Sequence, residues 1–248
     1  MNACSAGTIA GQLNVARLAI SNTLTDDEIA AIVAKYGYGE AKLQEGKELY
    51  NAALAAVNAQ SIAAGRQRQA TAQARGAEAG ARASYQGLAQ VARALFPRSA
   101  PERTTLGLVG KAPQGTAAFL AAAHALFDNA LAIPEIAAAL ASYGYDAGQI
   151  GAARAAIAAF DQANQAQVAA LGAAQLATRA QSAALDALGT WVTQYLKIAK
   201  IALRDQPEQI EKIGGVVRST RTAAQRAAPR KAAATRAARQ EEVEPAPA

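Results

Sequence analysis

An all-α fold is what this sequence predicts, and three observations predict it. Alanine supplies most of the hydrophobic residues, which make up 52% of the chain, while aromatics are only 5%. Alanine is the strongest helix former and adds little core volume, so long, closely approaching helices are favoured over a thick aromatic core. No β-branched run alternates with period two, so strands are not expected. Finally, Glu40 to Phe96 and Ala147 to Arg204 contain no proline, the residue that breaks a helix interior.

The elements follow from an internal repeat. Shifting the chain by 107 residues lays Asn22 on Asn129, Glu28 on Glu135, Tyr36-Gly37-Tyr38 on Tyr143-Gly144-Tyr145 and Gly65 on Gly172. Further on, Val91-Ala92-Arg93 meets Ile198-Ala199-Lys200, and with a one-residue slip Pro101-Glu102 meets Pro207-Glu208. Two helical units are expected, 1–110 and 111–217, followed by a tail over 218–248.

The first matched motif is helix punctuation. "TDDE" (25–28) has the form of a capping box, with Thr25 at N-cap and Glu28 at N3. Glu135, Glu102 and Glu208 are read at the same N3 position, where a carboxylate serves the helix dipole.

Next come the corners, "AKYGYGEAKL" and "ASYGYDAGQI". Gly37 and Gly144 are expected at C′, ending a helix in the left-handed conformation. Tyr38 and Tyr145 then fall at C″, facing Val33 or Leu140 at C3. With Gly39 or Asp146 as N-cap of the following helix, each second tyrosine is also its N′ residue, stapled to Leu43 or Ile150 at N4. Tyr36, Gly37, Tyr38 and Leu43, with Tyr143, Gly144, Tyr145 and Ile150, therefore read as structural corners rather than as a catalytic signature.

Beyond each corner a heptad phase runs without a slip. In the second copy it passes through Ile150, Ile157, Asn164, Leu171, Thr178, Leu185, Val192 and Ala199, apolar at both ends and polar or small between. In the first copy Leu43, Tyr50 and Val57 mark one end and Tyr85, Leu88 and Leu95 the other. The unbroken seam argues for one continuous helix of about 85 Å per copy, at 1.5 Å per residue. The rival is a hairpin whose tip lies near Gly65 or Gly172, although neither tip carries the Pro, Asn or Asp that usually marks a turn. In the continuous case the two long helices run antiparallel, with short helices bundled at the ends. "SAPE" (99–102) and "DQPE" (205–208), two more capping boxes with Ser99 and Asp205 at N-cap and proline in the first turn, then open short helices that stop at Gly107 and Gly214.

The pairing of a "GY-x4-[LI]" corner with a later "P-E … [LI]-G" stop resembles a group of uncharacterised bacterial all-helical proteins that carry two such units. The resemblance covers about residues 10–217. It implies a fold and no activity.

Chemistry is sparse. Cys4 is the only cysteine and His124 the only histidine, so a disulfide framework, a cysteine-based metal site and a histidine cluster are excluded within one chain. No E-x-x-H pair exists for a di-iron bundle. "GLVGKAPQGT" (107–116) lacks the spacing of a phosphate-binding loop and reads as a linker. "WVTQYLKIAKIAL" reads as core packing with two snorkelling lysines, Lys197 and Lys200. An enzyme is not expected, and neither is a cofactor or a metal. No apolar h-region precedes Cys4, and no uncharged apolar run approaches the roughly 20 residues of a membrane span. A cytoplasmic protein is the expectation.

The net charge of +6 is uneven: 218–248 holds seven Lys/Arg and three Glu, while 1–217 holds 18 and 16. Arg218, Arg221, Arg226, Arg230, Lys231, Arg236 and Arg239 sit among alanines with no large apolar residue, a composition expected to be disordered. Two functional readings follow. The first is a non-catalytic scaffold acting through self-association or a protein partner. The second is a nucleoid- or RNA-associated protein tethered without sequence preference through those basic residues. A weaker third is an apolar ligand held in an end bundle, near Phe160 and Tyr85 or near Tyr50 and Trp191.

Overall fold

The structure, a computed structural model, describes residues 7–215. Eight helices and no strand occur among them: α1 (Ile9–Thr25), α2 (Asp27–Ala34), α3 (Glu40–Leu95), α4 (Pro101–Thr105), α5 (Thr116–Ala132), α6 (Pro134–Ala141), α7 (Ala147–Ala202) and α8 (Pro207–Lys212). Helix lengths run 17, 8, 56 and 5 residues in α1–α4, then 17, 8, 56 and 6 in α5–α8. Both long helices are unbroken; neither Gly65 nor Gly172 turns the chain.

Packing divides the chain into two compact units. Unit 1 takes the described residues up to Tyr50 and those from Ala187 onward; unit 2 is Asn51–Asp186. Each long helix belongs to both, so 1–110 and 111–217 each contribute helices to both units. One pair of hydrogen bonds shows how. Asn22 Nδ2 of α1 donates to the carbonyl of Lys212 at the end of α8 (2.5 Å), and Asn129 Nδ2 of α5 donates to that of Thr105 at the end of α4 (2.6 Å). Each asparagine satisfies an orphan carbonyl at a helix end, and in each case that helix comes from the other matched stretch.

The corners are built by the backbone. Tyr38 N donates to Val33 O and Gly37 N to Ala34 O, both at 3.1 Å, with Gly37 at φ +88°. Tyr145 N donates to Leu140 O and Gly144 N to Ala141 O, again at 3.1 Å, with Gly144 at φ +87°. These are the two bonds of a Schellman motif, in a conformation that costs glycine no Cβ clash. Val33, Tyr38 and Leu43 are buried in unit 1, and Leu140 and Ile150 in unit 2. Asp146 Oδ1 accepts from Gln149 N (2.8 Å) and starts α7.

The other caps differ from the sequence reading. The N-cap of α2 is Asp26, whose Oδ1 accepts from Glu28 N (3.2 Å) and Ile29 N (3.3 Å), and not Thr25. Thr25 is the last residue of α1 and its hydroxyl donates back to Ser21 O (3.0 Å), so it is not free to cap. Glu28 therefore stands at N2. Ala100 and Gln206, rather than Ser99 and Asp205, precede α4 and α8, and neither caps through its side chain. Proline at N1 in α4, α6 and α8 makes the residue just before it the cap, and moves Glu102, Glu135 and Glu208 to N2.

Unit 2 has a continuous core in which Leu88, Phe119, Leu126, Phe127, Ile136, Leu140, Ile150 and Ile157 are sealed from solvent. Burial along α7 follows the composition of its seam. Ile150, Ile157 and Phe160 are buried at one end and Leu188, Val192, Tyr195 and Ala199 at the other, while Leu171 and Thr178 between them are exposed. No single helix among the described residues is long and apolar enough to cross a membrane.

Candidate functional site

In unit 1 the corner tyrosine Tyr38 meets the end of α7. Its ring lies edge-on to Trp191 (5.8 Å) and to Tyr195 (5.0 Å), and Trp191 stacks on Tyr195 (5.3 Å, 17°). The hydroxyl of Tyr195 is hydrogen-bonded to that of Thr23, which itself donates to Ala19 O (2.7 Å). Burial pushes the Tyr195 phenol from 10.0 up to about 12; the Thr23 bond opposes the rise and Tyr38 adds to it. The Tyr38 phenol is raised too, by burial first, with Lys42 opposing and Glu45 adding. Nothing in this cluster offers a base, so it is packing with a satisfied hydroxyl.

A pH dependence follows. Tyr195 is neutral in the fold, so its contribution is whole below the unfolded value near 10.0 and is lost as pH rises towards about 12. The shift corresponds to about 2–3 kcal/mol. Trp191, the only tryptophan, reports on this unit. Its emission is expected to show alkaline unfolding setting in above pH 10.0, and the onset should move upward in Tyr195→Phe. Identical onsets in the two proteins would sink this assignment.

The two faces of the corners diverge. Tyr36 and Tyr143 are exposed, 49% and 64%, and lie outside both cores. Tyr145 packs against the core of unit 2 and reaches over Gly87, where an added Cβ would stand 2.7 Å from its hydroxyl. Arg218, Arg221, Arg226, Arg230, Lys231, Arg236 and Arg239 lie outside the described residues, as does Cys4. His124 is half-buried on α5. No group of three His, Cys, Asp or Glu that could hold a metal ion occurs among the described residues.

A second feature lies by Tyr85, where the third reading placed an apolar ligand, but sequence reasoning missed Arg82 and the polar lining. In unit 2, Arg82 places its guanidinium carbon 4.5 Å above the ring of Phe119 and pairs with Glu78 through Nε (2.8 Å) and Nη2 (2.7 Å), both to the same oxygen. Phe119 meets Tyr85 edge-on at 5.5 Å and Phe160 at 6.1 Å. A cavity of about 400 Å³ opens beside Arg82 and Tyr85 and continues past Gln86 and Gln90 to Arg93. Its guanidinium and amide lining suits a polar or anionic group rather than an apolar ligand.

A third feature is apolar. On α3 and α7, Leu54 (40%), Ile62 (57%), Val168 (63%), Leu171 (44%) and Leu176 (65%) are exposed. Ile62 borders an open groove of about 330 Å³ lined by Ala59, Ala63, Arg66, Ala170 and Ala173. The heptad count could have raised Leu54, Ile62, Val168 and Leu176, because they fall off the seam. No family model, no curated protein and no solved structure matches the chain.

Proposed function

We propose that the chain is a non-catalytic, cytoplasmic helical scaffold that works through self-association. The observation that carries this reading is the set of exposed aliphatic side chains on α3 and α7 within unit 2. Exposed aliphatics scattered singly need no explanation, but five large ones on two helices of one unit, with Ile62 bordering an open groove, suit an interaction surface. A second copy would cover Leu54, Ile62, Val168 and Leu176 and turn a helix pair into a four-helix arrangement.

Two tandem units of one helical design, as in the group that the corners resemble, are part of the same proposal. Helix lengths that agree in three of the four pairs and differ by one residue in the fourth, and the matched Asn22 and Asn129 bonds, support it. An antiparallel course of α3 and α7 within unit 2 is supported by two pairings. Ala59 to Arg66 share a groove with Ala170 and Ala173, while Ser84 shares one with Ala152 and Ala153. Residue numbers rise on one helix as they fall on the other.

Sedimentation or light scattering is expected to find a dimer at micromolar concentration. Ile62→Glu with Leu176→Glu should give a monomer of unchanged helicity, since both side chains lie in solvent within one chain. A wild-type protein that stays monomeric throughout that range would overturn the reading.

A further inference from the structure

We propose that the arginine face of α3 in unit 2 is a docking surface for the phosphate backbone of duplex DNA. It owes nothing to the basic residues 218–239 and does not depend on self-association.

Charge is the first ground. Unit 2 holds ten Lys/Arg against seven Asp/Glu, whereas the described part of unit 1 holds eight against nine. The excess lies on one element: α3 between Asn51 and Leu95 carries Arg66, Arg68, Arg75, Arg82 and Arg93 against the single acid Glu78. A merely solvated helix face mixes its signs at i±4. The first turns of the same helix do so, with Glu40, Lys42, Glu45, Lys47 and Glu48 alternating and Lys42 paired to Glu45 at 2.6 Å. Past Tyr50 the pattern changes to five arginines with one counter-charge, Glu78, which pairs with Arg82.

Spacing is the second ground. Arg68, Arg75 and Arg82 are seven residues apart and Arg93 follows eleven later. Seven residues turn a helix to within about 20° of two full turns, and eleven to within about 20° of three. All four therefore point along one line. Gln86 and Gln90 continue it beside the cavity of about 400 Å³ that Arg82 and Arg93 border. Arg68, Arg75 and Arg93 are exposed and have no ion-pair partner among the described residues. Arg82 is held by Phe119 and by Glu78, which takes its Nε and Nη2, so it contributes to the row through Nη1 alone. Arginine matches phosphate oxygens bidentately, and glutamine amides also donate to them.

Shape chooses the partner. The row is about 37 Å long at 1.5 Å per residue, close to one turn of B-form duplex at about 34–36 Å. It lies on one unbroken helix. A single strand would need exposed aromatic platforms, but Phe119 and Tyr85 are 1% and 7% exposed. An anionic membrane would need a broad apolar face to insert, but along the arginine line of α3 Leu54 is the one exposed large apolar residue, and Ala81, Leu88 and Ala92 are buried in the core.

The test uses the full chain with its seven basic residues at 218–239 replaced by glutamine, titrated into a labelled random-sequence DNA duplex. Binding at low salt that weakens steeply with salt is expected. Adding Arg68→Gln, Arg75→Gln and Arg93→Gln should weaken it at least about tenfold and lower the log–log salt slope by about 2.7, at about 0.9 per phosphate contact. Circular dichroism should be unchanged, because all three side chains are exposed. The proposal is overturned if the protein without its basic tail charges does not bind duplex, if the three α3 substitutions leave binding intact, or if phosphatidylserine vesicles are bound in preference to duplex.

Discussion

Phe119→Ala is expected to lower the stability of unit 2 by about 3–5 kcal/mol, the usual cost of truncating a buried phenylalanine. The ring is 1% exposed and touches Tyr85, Phe160 and the Arg82 guanidinium at once. Removal leaves a cavity between α3, α5 and α7. It also strips Arg82 of the ring beneath it, so that only the partly exposed Glu78 pair holds it, and such a pair is worth little. The surroundings cannot collapse easily, because the neighbours are anchored on two helices, Arg82 and Tyr85 on α3 and Phe160 on α7. Urea titration should separate the units: helicity ought to fall at lower denaturant in the variant, while Trp191 emission from unit 1 follows later. A cost below about 1 kcal/mol would mean that the site relaxes freely and that Phe119 is not a core residue. Phe119→Leu, which retains most of the volume, should recover much of the loss.

What could be read in the sequence, and what could not, divides by the range of the interaction. The corners were legible because every bond in them is local: Gly37, Tyr38, Val33 and Leu43 lie within eleven residues. The all-α class was legible for the same reason, as propensity summed over long windows. The caps were misplaced by one residue, because the N-cap is set by where the preceding helix ends. Thr25 looked suitable alone, but α1 runs through it and Asp26 takes the role. Phe119 could not be recognised as core from the repeat, since the residue 107 positions earlier is Gln12, which is exposed. The arginine row was visible as a seven-residue spacing, but a heptad count that follows apolar positions passes over it. Exposed Ile62 and Leu176 have a meaning only once the helices around them are known.

Gly46→Ala is a change that helix propensity alone would favour by about 1 kcal/mol, and the fold is expected to reverse its sign. Gly46 lies on α3 under the indole of Trp191, where an added Cβ would stand 2.4 Å from Cη2 and Cζ2 and 2.7 Å from Cε2. The ring cannot slide away: it is stacked on Tyr195 and met edge-on by Tyr38, and those two rings touch each other. Overpacking of this kind typically costs about 1–3 kcal/mol, enough to outweigh the gain in helix propensity. The positions matched to Gly46 and Trp191 across the 107-residue shift hold Ala153 and Ser84, so a methyl group appears where the large ring is absent. A double-mutant cycle decides the matter. In a Trp191→Leu background the clash is gone, and Gly46→Ala should then become stabilising by up to about 1 kcal/mol. The indole N–H has no hydrogen-bond partner among the described residues, so that background loses packing and none of the hydrogen bonds among them. Thermal or urea midpoints of the four proteins give the coupling. If Gly46→Ala has the same effect with tryptophan as with leucine at 191, the close approach of α3 to the indole is not what requires glycine there.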